Sequence, residues 1–142
     1  TYNMDNKILC HCIALRKIAL KLTKIYDEAL IDTGIKITQY SLLKNIEKVD
    51  SPNINHLATA TQLDRSTLTR NLKKLERMKL IFFKFGDDKR NKILSLTPHG
   101  KQVLTKANIS WKTIQDQVSK NLGENKKNIF DLTIKNINEL KL

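Results

Sequence analysis

From residue 6 to about residue 31, apolar side chains recur in alternating steps of four and three: Ile8, Cys12, Leu15, Ala19, Leu22, Tyr26 and Ala29. That spacing puts all seven on one stripe of a long helix, with Gly34 as its expected C-cap. Thr38 is the expected N-cap of a second helix holding Tyr40, Leu42, Leu43 and Ile46. Ser51-Pro52 breaks the chain, and Asn53 or Asn55 opens a short helix over residues 54–61. After a turn at Gln62-Leu63, Asp64 is the expected N-cap of a helix to about Met78, with Leu68, Leu72 and Leu75 as its buried stripe. Two short helices joined by a tight turn form a helix-turn-helix.

The period then changes. Residues 80–85 and 92–97 are rich in β-formers and flank the polar run Gly86-Asp87-Asp88-Lys89-Arg90-Asn91, which predicts a β-hairpin with a mostly basic tip. Pro98 suits the first turn of a further helix, running to about Lys120 with Val103, Leu104, Ala107, Trp111, Ile114 and Val118 on its apolar stripe. Gly123 interrupts, and a last helix carries Ile129, Phe130, Leu132, Ile137 and Leu140. The fold class expected is mainly α with a small β-hairpin wing: a winged helix-turn-helix of about six helices. Residues 1–142 form one unit, in which 36–100 hold the helix-turn-helix and the hairpin, and 1–35 with 101–142 the remaining helices.

Charge adds a partner. The chain has 142 residues with 26 Lys+Arg against 14 Asp+Glu, a formal net charge of +12. A balance this basic points to a polyanion, nucleic acid or an anionic membrane surface. Some of the lysine excess reads as the codon bias of an AT-rich genome. The arginines do not: four of the five (Arg65, Arg70, Arg77, Arg90) fall in one 26-residue window. No apolar run approaches the roughly 20 residues that span a bilayer, and the N-terminus lacks a signal-peptide layout. Two cysteines, two residues apart, give neither a metal set nor a disulfide framework, so the cytoplasm is the expected compartment.

The fourth predicted helix concentrates the chemistry. With Leu68 at zero and about 100° per residue, Leu72 and Leu75 fall within about 40° of it. Ser66, Arg70, Lys73 and Arg77 fall on the opposite side, flanked by Thr67, Thr69 and Lys74. A major groove admits one helix, whose Arg, Ser, Thr and Asn side chains can read base edges. Arg65, Thr67, Thr69, Arg70 and Asn71 are the base-reading candidates, with Ser66 also a DNA-binding candidate on the same side, and Lys73, Lys74 and Arg77 the phosphate candidates. A plain solvated basic face is the competing reading. At the hairpin tip, Arg90 is the candidate for a narrow minor groove, with Lys89 and Lys92 near the backbone and Asp88 as an internal partner for an arginine.

Residues 63–81 (LDRSTLTRNLKKLERMKLI) and 88–100 (DKRNKILSLTPHG) resemble the signatures of the MarR-type winged-helix regulators. The resemblance implies a homodimer built from the first and last helices, binding a pseudo-palindromic operator in double-stranded DNA and repressing a nearby gene. It also implies that Arg90 is the minor-groove residue and Asp88 its orienting acid, paired with Arg70. Lys79 departs from the pattern, standing where a glycine is expected, and so does Phe82-Phe83, where charged residues are usual.

Residues 9–26 (LCHCIALRKIALKLTKIY) resemble the opening helix of the organic-peroxide-sensing branch of that family. The likeness implies Cys12 as the oxidised cysteine and Tyr26 as one of two phenols that hydrogen-bond it. The second phenol falls at Ile37, and no later cysteine is present to resolve the oxidised one. Cys10 and Cys12, two apart on a helix, point about 200° apart and are not expected to pair within a chain. Cys12 reads either as a sensor or as a small residue in a dimer seam. A small aromatic or lipophilic anion between the lobes is the other route to release.

The function expected is a sequence-specific DNA-binding regulator; the alternative is a non-specific basic architectural DNA-binding protein. A membrane-surface role is disfavoured by Trp111 on a stripe suited to burial. An enzyme is not expected: no Ser/His/Asp set, carboxylate pair or Gly-rich phosphate loop is sensibly placed, and no metal or cofactor is implied.

Overall fold

The computed structural model describes residues 10–49, 52–85 and 92–142. Its elements run α1 (His11–Ala29), a single 3-10 turn (Ile31–Thr33), α2 (Ile37–Lys48), α3 (Ile54–Thr61), α4 (Arg65–Arg77), β1 (Ile81–Phe85), β2 (Lys92–Leu96), α5 (Pro98–Leu122) and α6 (Glu124–Asn138). The described residues form a winged helix-turn-helix of six helices and one antiparallel hairpin, registered Ile81↔Leu96 to Phe85↔Lys92. Residues 86–91, which hold the predicted tip with Asp88, Lys89 and Arg90, lie outside the described residues, as do residues 6–9 of the predicted first helix.

Several predicted boundaries shift, each for a local reason. The first helix does not run through Cys10, whose backbone is extended (φ −144°, ψ 117°); it stands as N-cap and α1 begins at His11. The 200° argument against pairing Cys10 with Cys12 therefore does not apply, because only Cys12 is helical. Gly34 does not cap α1: it closes the 3-10 turn, left-handed at φ +76°. Thr38 is not the cap of α2, which starts at Ile37 after Lys36. There the free Ile37 N–H donates to Asp27 Oδ1 of α1 at 2.8 Å, and Lys36 N–H donates to Gln39 Oε1 at 2.9 Å. A carboxylate from another helix replaces the local cap, satisfying N–H groups that a helix start leaves free.

The other helix starts follow the sequence. Asn53 accepts from the His56 N–H at 2.8 Å and caps α3, while Gln62 (φ +56°) makes the left-handed turn that ends it. Pro98 opens α5, whose cap Thr97 accepts from the Gly100 N–H at 2.9 Å.

The core lies under the helix-turn-helix. Leu42 and Leu43 of α2, Leu57 of α3, Leu68, Leu72 and Leu75 of α4, Ile81 and Leu94 of the hairpin, and Leu104 of α5 are all fully buried. Burying each stabilises by roughly 1.5–3 kcal/mol. By contrast α1 and α6 contain no buried residue. Much of their apolar surface faces outward, with Leu15 43% and Ile129 64% exposed, while Leu22, Tyr26 and Ala29 of α1 are half-buried. Among the described residues no helix is long and apolar enough to cross a membrane, and no three His, Cys, Asp or Glu side chains group as a metal site.

Candidate nucleic-acid interface

Asp64 organises the start of α4. Its carboxylate accepts from the Thr67 N–H and the Ser66 hydroxyl at Oδ1 and from the Thr67 hydroxyl at Oδ2, each at 2.8 Å. The Thr67 backbone bond, then the two hydroxyls, pull its pKa from 3.8 down to about 2, so the cap stays ionised at neutral pH. The negative charge also suits a helix N-terminus.

The capping network changes what the face can offer DNA. Thr69 donates its hydroxyl to the Arg65 carbonyl at 2.7 Å, so the Ser66, Thr67 and Thr69 hydroxyls all have their protons committed locally. Ser66 and Thr67 keep acceptor lone pairs, and Thr67 and Thr69 keep methyl groups for thymine contact. Donors to base edges fall to Arg65, Arg70 and Asn71. Arg65, Arg70, Lys73, Lys74 and Arg77 are exposed, while Asn71 is half-buried. Arg70 reaches back to Thr67 Oγ1 at 3.5 Å, the long limit for such a bond. The sequence named Asp64 as the N-cap of α4 but not its hydroxyl partners, although an Asp followed two and three positions later by Ser and Thr is the signal for them.

The junction between α4 and the wing is a complete Schellman turn. Leu80 N–H donates to the Leu75 carbonyl at 3.0 Å and Lys79 N–H to Glu76 at 2.9 Å. Its left-handed residue is Lys79, φ +59°, the position at which the sequence departs from the expected glycine. Thr97 locks the far side, its hydroxyl donating to the Lys79 carbonyl at 2.6 Å and its N–H to Leu80 at 3.0 Å. On the wing, Lys84 Nζ lies 5.2 Å from the Phe82 ring centroid and Lys92 Nζ 5.6 Å from that of Phe83. The two phenylalanines out of place in the pattern thus hold the hairpin's lysines.

Cys10 and Cys12 are both exposed free thiols. Tyr26 lies fourteen residues beyond Cys12 on the same helix, about 21 Å away, so the two do not meet within one chain. Its hydroxyl donates to Gln115 Oε1 of α5 instead, and burial raises its pKa.

Between α1, α2 and α5 opens a cleft of about 720 Å³. Tyr40 and Trp111 stack in its wall with centroids 5.9 Å apart, and Tyr40 donates to Asn108 Oδ1 at 2.8 Å. Lys44 and Lys112 stand at the same cleft, each with a carboxylate beside it: Glu47 at 3.5 Å and Asp116 at 2.7 Å. The sequence named none of these as cleft residues.

The model of the MarR family matches residues 33–91. The transcriptional regulator MosR of M. tuberculosis, solved in complex with DNA, is 32% identical, with 92% of this chain and 99% of that chain covered and a TM-score of 0.77. The chain belongs to the MarR family. Among curated relatives, the HTH-type transcriptional regulator SarZ of Staphylococcus epidermidis is 33% identical over 93 residues; the match covers 65% of this chain and 63% of SarZ. A mutant MarR of E. coli, complexed with operator DNA, superposes with a TM-score of 0.84 over 95% of this chain and 98% of that one; at 19% identity the likeness is one of fold.

Proposed function

We propose that this MarR-family chain is a sequence-specific DNA-binding transcriptional regulator, a repressor that acts as a homodimer on a pseudo-palindromic operator. The observation that carries the reading is α4 itself. One face is fully buried leucine, and the other presents Arg65, Arg70, Lys73, Lys74 and Arg77 along the helix, from its capped N-terminus to its last turn. The relative MosR was crystallised with DNA, which supports the same partner here. Residues 36–100 serve as the DNA-binding lobe, and 1–35 with 101–142 as the dimerisation lobe. The uncovered stripes of α1 and α6 supply the surface a second copy would bury. A regulator of this kind works in the cytoplasm and needs no catalytic group.

Within the interface, Arg65, Thr67, Thr69, Arg70 and Asn71, with Ser66, face the bases. Lys73, Lys74 and Arg77 face phosphates, and Asp88, Lys89, Arg90 and Lys92 belong to the wing contact. Release follows either from a small aromatic anion in the cleft of Tyr40, Trp111, Lys44 and Lys112, or from oxidation of Cys12 with Cys10 beside it.

A gel-shift titration against the DNA upstream of the gene tests this. Arg70→Ala relaxes base preference, whereas Lys73→Ala weakens every duplex and flattens the salt dependence. Unchanged operator affinity in Arg70→Ala rejects the assignment of α4, and equal affinity for operator and scrambled duplexes favours the non-specific architectural protein. Adding stoichiometric organic hydroperoxide to wild type and Cys12→Ser separates the two release routes: loss in the wild type alone selects oxidation.

A further inference from the structure

The inner face of β1 carries Ile81, Phe83 and Phe85, because alternate strand residues share a face. Their cross-strand partners are Leu96, Leu94 and Lys92. Along that row burial falls away: Ile81 is buried, Phe83 is half-buried against the core, and Phe85 is 68% exposed. The apolar row therefore overshoots the core by one aromatic ring. An isolated exposed side chain is ordinary, but this one stands in a basic setting. Its cross-strand partner is Lys92 and its chain neighbour is Lys84. The lysines on either side are drawn over Phe82 and Phe83, one on each face of the hairpin. The ring of Phe85 is thus the apolar element of a cationic stalk, next to the tip.

We propose that Phe85 is a DNA-contacting residue of the wing, its ring packing on the deoxyribose rims of the groove while Lys84 and Lys92 meet the flanking phosphates. This rests on the reading of the chain as a DNA-binding regulator. The occupant is DNA rather than protein because the apolar surface is a single ring on a thin hairpin that carries a lysine on each of its faces, a shape suited to sugars between phosphates. Sugars are the same in every sequence, so the contact adds affinity without adding base preference.

Fluorescence anisotropy is the test, using a labelled duplex from the DNA upstream of the gene and a scrambled duplex of equal composition, each across a salt series. Phe85→Ala raises Kd by roughly three- to tenfold on both duplexes, since it removes apolar cover. It leaves the slope of log Kd against log salt unchanged, whereas Lys92→Ala flattens that slope by about one phosphate contact. Phe85→Tyr, which keeps the ring, restores binding, and both variants melt like the wild type. A Phe85→Ala Kd within about twofold of wild type overturns the proposal; if Lys73→Ala still flattens the slope, the DNA-binding reading stands without it. A fall in sedimentation mass for Phe85→Ala makes the ring a protein contact and also overturns it. If neither Lys73→Ala nor Lys92→Ala alters the slope, the DNA-binding reading itself fails.

Discussion

Lys79→Gly stabilises the protein. Lys79 sits at φ +59° in the left-handed position of the turn joining α4 to β1. The hydrogen bonds from Lys79 and Leu80 to Glu76 and Leu75, and from Thr97 to Lys79, hold it there, and the burial of Leu80 prevents the turn from relaxing. For a residue with a Cβ that conformation costs about 1–2 kcal/mol, whereas glycine adopts it freely but gives up about 0.5–1 kcal/mol of extra chain entropy. The net gain is about 0.5–1 kcal/mol, or about 2–4 °C in Tm for a chain of this size. Thermal melts by circular dichroism at one fixed protein concentration measure it; the concentration is fixed because assembly shifts Tm. Lys79→Ala removes the same charge and keeps the Cβ, so it melts close to the wild type, and Lys79→Asn falls between. If Lys79→Gly melts no higher than Lys79→Ala, the turn is not strained and the argument fails.

Gly100→Ala does the opposite: the new Cβ would stand 2.0 Å from the Leu80 carbonyl oxygen, a backbone atom that cannot swing away. A loss of about 3 kcal/mol in unfolding free energy, read from a urea titration, is expected, with weakened DNA binding as the wing base shifts. Asp64 titrates with a midpoint of about 2 by carboxyl NMR. Because its folded pKa is depressed from 3.8, its contribution is complete above about pH 4 and is lost as pH falls through about 2, and Asp64→Asn removes that acid-side dependence. Tyr40→Phe leaves Asn108 without its donor and lowers stability by about 0.5–1.5 kcal/mol in a urea titration.

The helices were readable wherever their signals were local. Asn53, Asp64 and Pro98 each stand beside the turn they start, and the leucine stripe of α4 is a matter of period alone. The start of α2 was not readable, because its capping carboxylate comes from Asp27, ten residues back on another helix. Tyr26 was assigned to a cysteine by likeness, while its real partner within the chain, Gln115, is 89 residues away. The cleft failed for the same reason: Tyr40 and Trp111 each look like core residues of their own helix, and only the crossing of α1, α2 and α5 turns them into a wall. On the reading face, the residue types were visible from spacing, but the commitment of three hydroxyl protons required the actual geometry of the capped turn.

Helix α5 is continuous from Pro98, beside the wing, to Leu122, next to the outward stripe of α6. Its 25 residues make a rod of about 37 Å with no internal break. A rod of that length works as a lever: a tilt of about 5° at one end carries the other through about 3 Å, close to the 3.4 Å rise of one base-pair step. Trp111 and Lys112, in the wall of the cleft, sit near its middle. In the proposed DNA-bound homodimer, small rearrangements there would be geared up to the scale of one base-pair step between two reading heads.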